Sequence, residues 1–191
     1  MKLLKKIAAV IGVLVLVFVI VGLVLPTTYT VSSTVTIKAD QATVHALVAD
    51  LEAWPDWQPW TENDPTIVVT RGSQATGVGA HQSWTGDSGD GELTFTQSDP
   101  LVGVTYDMTF DQKYKSVGSI SHEDAGEGQT KVTWFMEGDT GTPVIGGYFA
   151  KLMPGLIQPM FDRGLEKLKG VAEAEAPAHE AADPVDSAGQ G

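Results

Sequence analysis

The chain has 191 residues, of which 24 are acidic and 12 basic, and a formal net charge of −12. This length allows one domain of roughly 100–150 residues with additional segments. The acidic surface excludes nucleic acid as a partner, because it repels phosphate groups. The chain contains no cysteine, which excludes disulfides, a lipoprotein anchor and thiolate chemistry.

The first predicted element is a helix that spans a membrane. Ile7 to Leu25 carries no charged residue, and at 1.5 Å per residue it would measure about 29 Å, close to the thickness of a bilayer core. Lys2, Lys5 and Lys6 precede it, so the positive-inside rule places the N-terminus in the cytoplasm and the domain outside. A cleaved signal peptide is the alternative, although the apolar run is long and has no Ala-x-Ala site. Residues 1–26 are therefore predicted to be a single-pass anchor.

The domain begins with a predicted strand at 29–37, where apolar and polar residues alternate. Asp40 is the predicted N-cap of a short helix with Val44, Leu47 and Val48 on its inner side. Two prolines and three tryptophans between Leu51 and Trp60 predict a turn of helix and a loop. Trp54 and Trp57 are expected to pack this corner with each indole N–H bonded to a carbonyl, whereas Trp60 can equally line the mouth of a pocket.

Six more strands are predicted, separated by turns at hairpin spacing. They cover Ile67–Arg71, His81–Thr85, Gly91–Ser98, Leu101–Phe110, Ser116–His122 and Lys131–Gly138. Glycines inside two of them, Gly103 and Gly118, predict sharp bends or bulges.

The last ordered segment is predicted to be a long helix that packs on the sheet. Its apolar stripe consists of Ile157, Phe161, Leu165, Leu168 and Ala172, spaced by four, four, three and four residues. Pro154-Gly155 predicts a break before this helix, with a shorter helix upstream. Residues 173–191 are acidic, without apolar periodicity, and are predicted to be a disordered tail.

A run of strands with helices at both ends is typical of the α+β class. The order of elements resembles the START-like (SRPBCC) superfamily, within it the polyketide cyclase/dehydrase-type proteins. The motifs that carry the resemblance are Thr36-Ile-Lys-Ala-Asp-Gln-Ala-Thr-Val-His45, Asp50-Leu-Glu-Ala-Trp-Pro-Asp-Trp-Gln-Pro-Trp60, Asp99-Pro-Leu-Val-Gly-Val-Thr-Tyr106, Thr130-Lys-Val-Thr-Trp134 and Gly164-Leu-Glu-Lys-Leu-Lys169. The resemblance implies a helix-grip fold over residues 27–172, a curved antiparallel sheet of seven strands wrapped around the C-terminal helix with a hydrophobic pocket between them. Members of this superfamily bind lipids, sterols or polyketides, and a minority are enzymes. They usually lack a membrane anchor, so residues 1–26 depart from the pattern of the superfamily.

Eight large apolar residues are candidates for a ligand-binding site, because strand alternation and helical spacing direct them into the space between sheet and helix. They are Trp60, Tyr106, Met108, Trp134, Met136, Met153, Met160 and Phe161. Methionine adapts to apolar partners of variable shape. The same residues can also fill a core, and the sequence leaves both interpretations open.

The sequence favours binding over catalysis. His45, His81, His122 and His179 are not spaced as metal ligands, and no nucleophile elbow or phosphate-binding loop is present. Asp107 or Asp111 could serve as a general base, although alternation turns Asp107 outward. We therefore expect a membrane-anchored domain that binds a hydrophobic small molecule or lipid, without a metal or cofactor. The alternatives are a cyclase/dehydrase- or hydrolase-type enzyme and an envelope interaction module without a ligand.

Overall fold

The computed structural model describes residues 2–180, with side chains described up to Ala176. Its elements are α1 (Lys2–Val24), β1 (Thr28–Ile37), α2 (Gln41–Val48), α3 (Trp54–Trp57), α4 (Trp60–Asn63), β2 (Val68–Arg71), β3 (His81–Thr85), β4 (Gly91–Asp99), β5 (Gly103–Phe110), β6 (Tyr114–Gly126), β7 (Gln129–Asp139) and α5 (Gly146–Glu180). The predicted α+β class is confirmed, with the run of strands lying between helical segments.

The seven strands form a single antiparallel sheet in the order β1-β7-β6-β5-β4-β3-β2. The first strand pairs with the last, so β1 lies at one edge and β2 at the other. The register shifts between Phe95 and Gln97 and between Asp124 and Gly126, and such bulges bend a sheet. The register is unbroken at Gly103 and Gly118, so a bulge, one of the two possibilities predicted there, is absent at both positions.

The strand glycines instead make room for aromatic rings on neighbouring strands. Three such pairs are in direct register, namely Tyr29 with Gly138, Trp84 with Gly91 and Tyr106 with Gly118. A Cβ at Gly118 would lie 2.2 Å from the ring of Tyr106. Gly103 is needed for a different reason. It is the first residue of β5, and its φ of +119° is a backbone conformation that L side chains rarely adopt.

The helix α5 is continuous, so the break predicted at Pro154-Gly155 is wrong. Proline removes one amide donor and crowds the preceding turn, but packing and hydrogen bonds along the edge of β1 stabilise the helix on the sheet. Gln158 Nε2 donates to the Ser32 carbonyl at 3.0 Å, and Lys169 Nζ donates to the Thr36 carbonyl at 2.9 Å. The helix also continues past the predicted boundary at 172 to Glu180. The rest of the predicted tail, 181–191, lies outside the described residues.

The core lies between α5, α2, α3 and the inner face of the sheet. The predicted stripe of α5 is confirmed, because Phe161, Leu165, Leu168 and Ala172 are at most 2% exposed and Ile157 packs beside them. The predicted cap of α2 is also confirmed, since the side chain of Asp40 accepts a hydrogen bond from the amide of Thr43 at 2.7 Å. Val44, Leu47 and Val48 are buried as predicted.

Candidate ligand-binding site

Four of the eight candidate residues form a closely packed centre between the sheet and α5. Tyr106, Trp134, Met136 and Phe161 are at most 4% exposed. The ring of Trp134 stacks on Phe161 with centroids 4.2 Å apart and planes 8° apart. Its Nε1 donates to the hydroxyl of Tyr106 at 2.9 Å. In this structure the four side chains fill a core.

Trp134 is enclosed by α5 and by the segment that precedes the hairpins. The rings of Trp57 and Trp60 approach it edge-on, with centroids 5.5 Å and 5.9 Å away. Gly164 allows the helix to come close, since a Cβ there would lie 2.7 Å from Trp134 Cζ3. These contacts connect α3, α4, β7 and α5.

The hydroxyl of Tyr106 is protonated at neutral pH. Burial raises the pKa of Tyr106 to about 12, and the hydrogen bond from Trp134 acts in the opposite direction. The group therefore stays protonated, and what it does is accept the indole N–H, which would otherwise be buried without a partner.

The other four candidates, Trp60, Met108, Met153 and Met160, are half-buried. Trp60 and Met108 pack against the core cluster. Met153 and Met160 are two turns apart and so lie on the same side of α5. The candidates thus divide into a buried centre and an outer group with access to solvent, a division that alternation alone could not resolve.

Two concave surfaces in the described part of the chain lie away from this aromatic centre. One is on the apolar surface of α1, between Ala9 and Leu14. The other is an open groove on β4, β5 and β6, lined mainly by hydroxyl and amide side chains, among them Thr96, Ser98 and Thr105. The expected cavity between sheet and helix is therefore occupied at its centre by the aromatic side chains.

Trp54 and Trp57 have the structural role that the sequence predicts. Trp54 Nε1 donates to the Val48 carbonyl at 3.1 Å and Trp57 Nε1 to the Leu47 carbonyl at 3.2 Å. Both rings are at most 2% exposed. They attach α3 to the end of α2.

A histidine pair that the sequence did not predict lies between α2 and the C-terminal part of β6. His45 Nδ1 and His122 Nε2 are 3.0 Å apart, and Gln41 Nε2 is 3.3 Å from His122 Nδ1. Burial, and then the neighbouring His45, lower the pKa of His122 to about 4; burial also lowers the pKa of His45, against an opposing effect of Asp99. Among the side chains that the structure describes, residues 2–176, no group of three possible metal ligands occurs.

The remaining polar candidates lie apart from the aromatic centre. His81 Nδ1 is 2.9 Å from the hydroxyl of Thr94. Asp107 and Asp111 are exposed, Asp107 as alternation predicts. The side chain of His179 lies outside the described residues. No local signal could have revealed the pairing of His45 with His122, because 77 positions separate them in the chain.

A seven-stranded antiparallel sheet that closes on one long C-terminal helix defines a START-like domain of the helix-grip type. The chain belongs to the polyketide cyclase / dehydrase and lipid transport family, whose model matches residues 28–173. No curated protein matches the chain in sequence.

Solved structures with the same fold are distant in sequence. A hypothetical protein, jhp0584, from Helicobacter pylori is 12% identical with a TM-score of 0.58, over 75% of this chain and 87% of that one. The Zhui aromatase/cyclase from Streptomyces sp. R1128 is 14% identical with a TM-score of 0.56, over 78% and 95%. TTHA0849 from Thermus thermophilus is 16% identical with a TM-score of 0.54, over 77% and 99%. At these identities the likeness shows the fold alone.

Proposed function

We propose that this protein is a membrane-anchored START-like domain that binds a hydrophobic small molecule or lipid between the sheet and α5. The half-buried Trp60, Met108, Met153 and Met160 form the entrance, and the buried aromatic centre is the inner wall that the ligand contacts. The observation that carries the proposal is the partial exposure of three methionines and one tryptophan, two of which, Trp60 and Met108, pack directly on the buried core.

Methionine at three of the four entrance positions supports a site that opens for its ligand. The side chain has three rotatable bonds and a polarizable sulfur, so it can move aside and then pack on a ligand of variable shape. An apolar ligand gains roughly 25 cal/mol for each Å² that it removes from water. A filled centre and an adaptable rim are thus compatible with a ligand that displaces side chains as it enters.

Contacts between α1 and the domain support a retained anchor over a cleaved signal peptide. Within residues 2–180, α1 is the one helix long and apolar enough to cross a membrane, by length and composition. Its last turns pack on the start of α5: Gly22 is buried against Val144, and a Cβ at Gly147 would lie 2.3 Å from Leu25 Cβ. Close packing of this kind favours an α1 that stays with the folded domain. The positions of Lys2, Lys5 and Lys6 support a cytoplasmic N-terminus.

Photo-crosslinking tests the ligand site in the full chain, reconstituted in phosphatidylcholine nanodiscs with a diazirine fatty acid. We expect saturable labelling of Trp60 and Met136, competed by unlabelled fatty acid. Met108→Trp should fill the entrance and reduce this labelling about tenfold, equivalent to about 1.4 kcal/mol of binding free energy.

The matched control is Asp107→Trp, which adds the same ring to the outer face of β5, where Asp107 is exposed. It should leave the labelling unchanged. Labelling that does not saturate, or that both variants reduce equally, would contradict a site between sheet and helix.

A further inference from the structure

The first three turns of α5, together with Ile145 just before the helix, expose an apolar stripe on the side that faces away from the sheet. Ile145, Phe149, Leu152 and Leu156 are spaced by four, three and four residues and are 48%, 50%, 60% and 62% exposed. This spacing places them on one face of the helix, roughly opposite the buried Phe161. A contiguous row of large exposed apolar side chains marks a contact with another apolar phase.

The same face becomes polar further along the helix. Continuing in steps of three and four residues, the stripe reaches Pro159, Arg163 and Lys167. Arg163 and Lys167 form ion pairs with Glu62 at 3.2 Å and 2.8 Å. The apolar part is therefore confined to Ile145–Leu156, about 16 Å of helix.

The stripe begins beside the predicted membrane span. The rings of Phe18 and Tyr148 stack with centroids 4.5 Å apart, and the hydroxyl of Tyr148 donates to the Phe18 carbonyl at 2.8 Å. Phe18 lies six residues before Val24 at the end of α1, about 9 Å along the helix. The first turn of α5 thus contacts a level of α1 that would lie inside the bilayer.

Basic and aromatic side chains lie at the same end of the sheet. Lys115 pairs in register with Asp139, which pairs with Thr28 at the start of β1, just after α1. Lys113, in the turn between β5 and β6, and Tyr114, the first residue of β6, are exposed as well. Tyrosine and lysine are residues that favour the headgroup region of a membrane. Residues of both kinds are therefore present at the end of the sheet that follows α1, where the headgroup region would lie.

We propose that the apolar stripe of α5 is embedded in the surface of the bilayer that α1 spans. The first three turns of α5 then form an interfacial helix, and the charged remainder leaves the membrane beyond Leu156. Met153 lies next to Leu152, so the ligand entrance opens beside the lipid. The bilayer is favoured over a second copy of the chain, because the contact with Phe18 already places the stripe at membrane level. This inference rests on the proposed function through the membrane insertion of α1.

Site-directed spin labelling tests the proposal in the full chain, since the absence of cysteine makes any introduced cysteine unique. Phe149→Cys and Leu152→Cys report on the stripe, and Leu14→Cys reports on the span. Gly170→Cys is the control on the same face, where a Cβ meets nothing within 4 Å. In phosphatidylcholine nanodiscs, the ratio of accessibility to oxygen over a water-soluble nickel chelate should be at least about threefold higher on the stripe than at Gly170→Cys, as for an interfacial helix.

The labels separate the possible outcomes. A bilayer environment at Leu14→Cys with a water environment at Leu152→Cys would overturn the embedded stripe and leave the anchor standing. A water environment at both would overturn the anchor as well. Protection of Leu152→Cys from both reagents, with a short label-to-label distance between copies, would show a second chain on the stripe and overturn the proposal.

A pair of glycine variants tests whether α1 holds the stripe at the membrane. A Cβ at Gly22 would lie 2.2 Å from the Val144 carbonyl oxygen, whereas one at Gly12 meets nothing within 4 Å. Both Gly22→Leu and Gly12→Leu keep the span apolar. We expect Gly22→Leu to reduce the accessibility ratio at Leu152→Cys toward that of Gly170→Cys, and Gly12→Leu to leave it unchanged. An unchanged ratio in Gly22→Leu would refute positioning by α1.

Discussion

Replacing Gly164 with alanine tests how closely α5 packs on the aromatic centre. The new Cβ would lie 2.7 Å from Trp134 Cζ3 and 3.2 Å from Pro59 Cδ. Both atoms belong to rings, and Trp134 is held in place by its stack on Phe161 and its hydrogen bond to Tyr106. Relief of the overlap therefore requires a shift of the helix, and over-packing of this kind costs about 1–3 kcal/mol.

Gly170→Ala is the matched control in the same helix, because nothing lies within 4 Å of a Cβ at that position. Alanine favours the helix over glycine by about 0.8–1.0 kcal/mol at either position. Gly170→Ala should therefore stabilise the protein by about that amount, whereas the gain at Gly164 is opposed by the overlap. The difference between the two variants isolates the packing contribution, about 1–3 kcal/mol.

Urea unfolding of the full chain in a mild detergent, followed by tryptophan fluorescence, gives the two free energies of unfolding. Equal slopes of free energy against urea concentration would show that both variants unfold between the same states. If Gly164→Ala is stabilised as much as Gly170→Ala, Trp134 has unoccupied volume beside it. That result would refute the filled centre and restore an open cavity between sheet and helix.

Three other changes have expected outcomes in the same assay. The free energy of unfolding should fall by about 2 kcal/mol between pH 7 and pH 4.5, because folding lowers the pKa of His122 from its ordinary value of 6.5 to about 4 and the unfolded chain therefore binds the proton first. The variant His122→Gln should lose most of this pH dependence. If the variant shows the same pH dependence as the original protein, His122 is not its source. Tyr106→Phe leaves the indole N–H of Trp134 buried without an acceptor and should cost about 1–3 kcal/mol, whereas no loss would mean that the hydrogen bond contributes nothing. Thr43→Val removes a buried hydroxyl that has no hydrogen-bond partner and should stabilise the protein by about 1 kcal/mol; a loss of stability would indicate that the hydroxyl does have one.

The sequence by itself determined the parts of this protein that depend on local patterns. The stripe from Ile157 to Ala172 predicted the inner face of α5, and Asp40 predicted the start of α2. Alternation predicted which residues of β1 face inward, and the charge-free run predicted α1. These properties follow from the repeat of a helix or strand and from the hydrophobicity of neighbouring residues, so no tertiary contact is needed to infer them.

The tertiary structure alone decided how residues distant in the chain share space. Pro154 and Pro159 disfavour a helix locally, yet α5 continues through both, since the edge of β1 stabilises it. The pattern that directs Trp134 inward cannot say whether its neighbours leave a void, because that depends on the volumes of side chains from α3, α4 and α5 together. The exposed stripe beside α1 likewise emerges only when α5 lies on the sheet and one of its two apolar faces is already occupied.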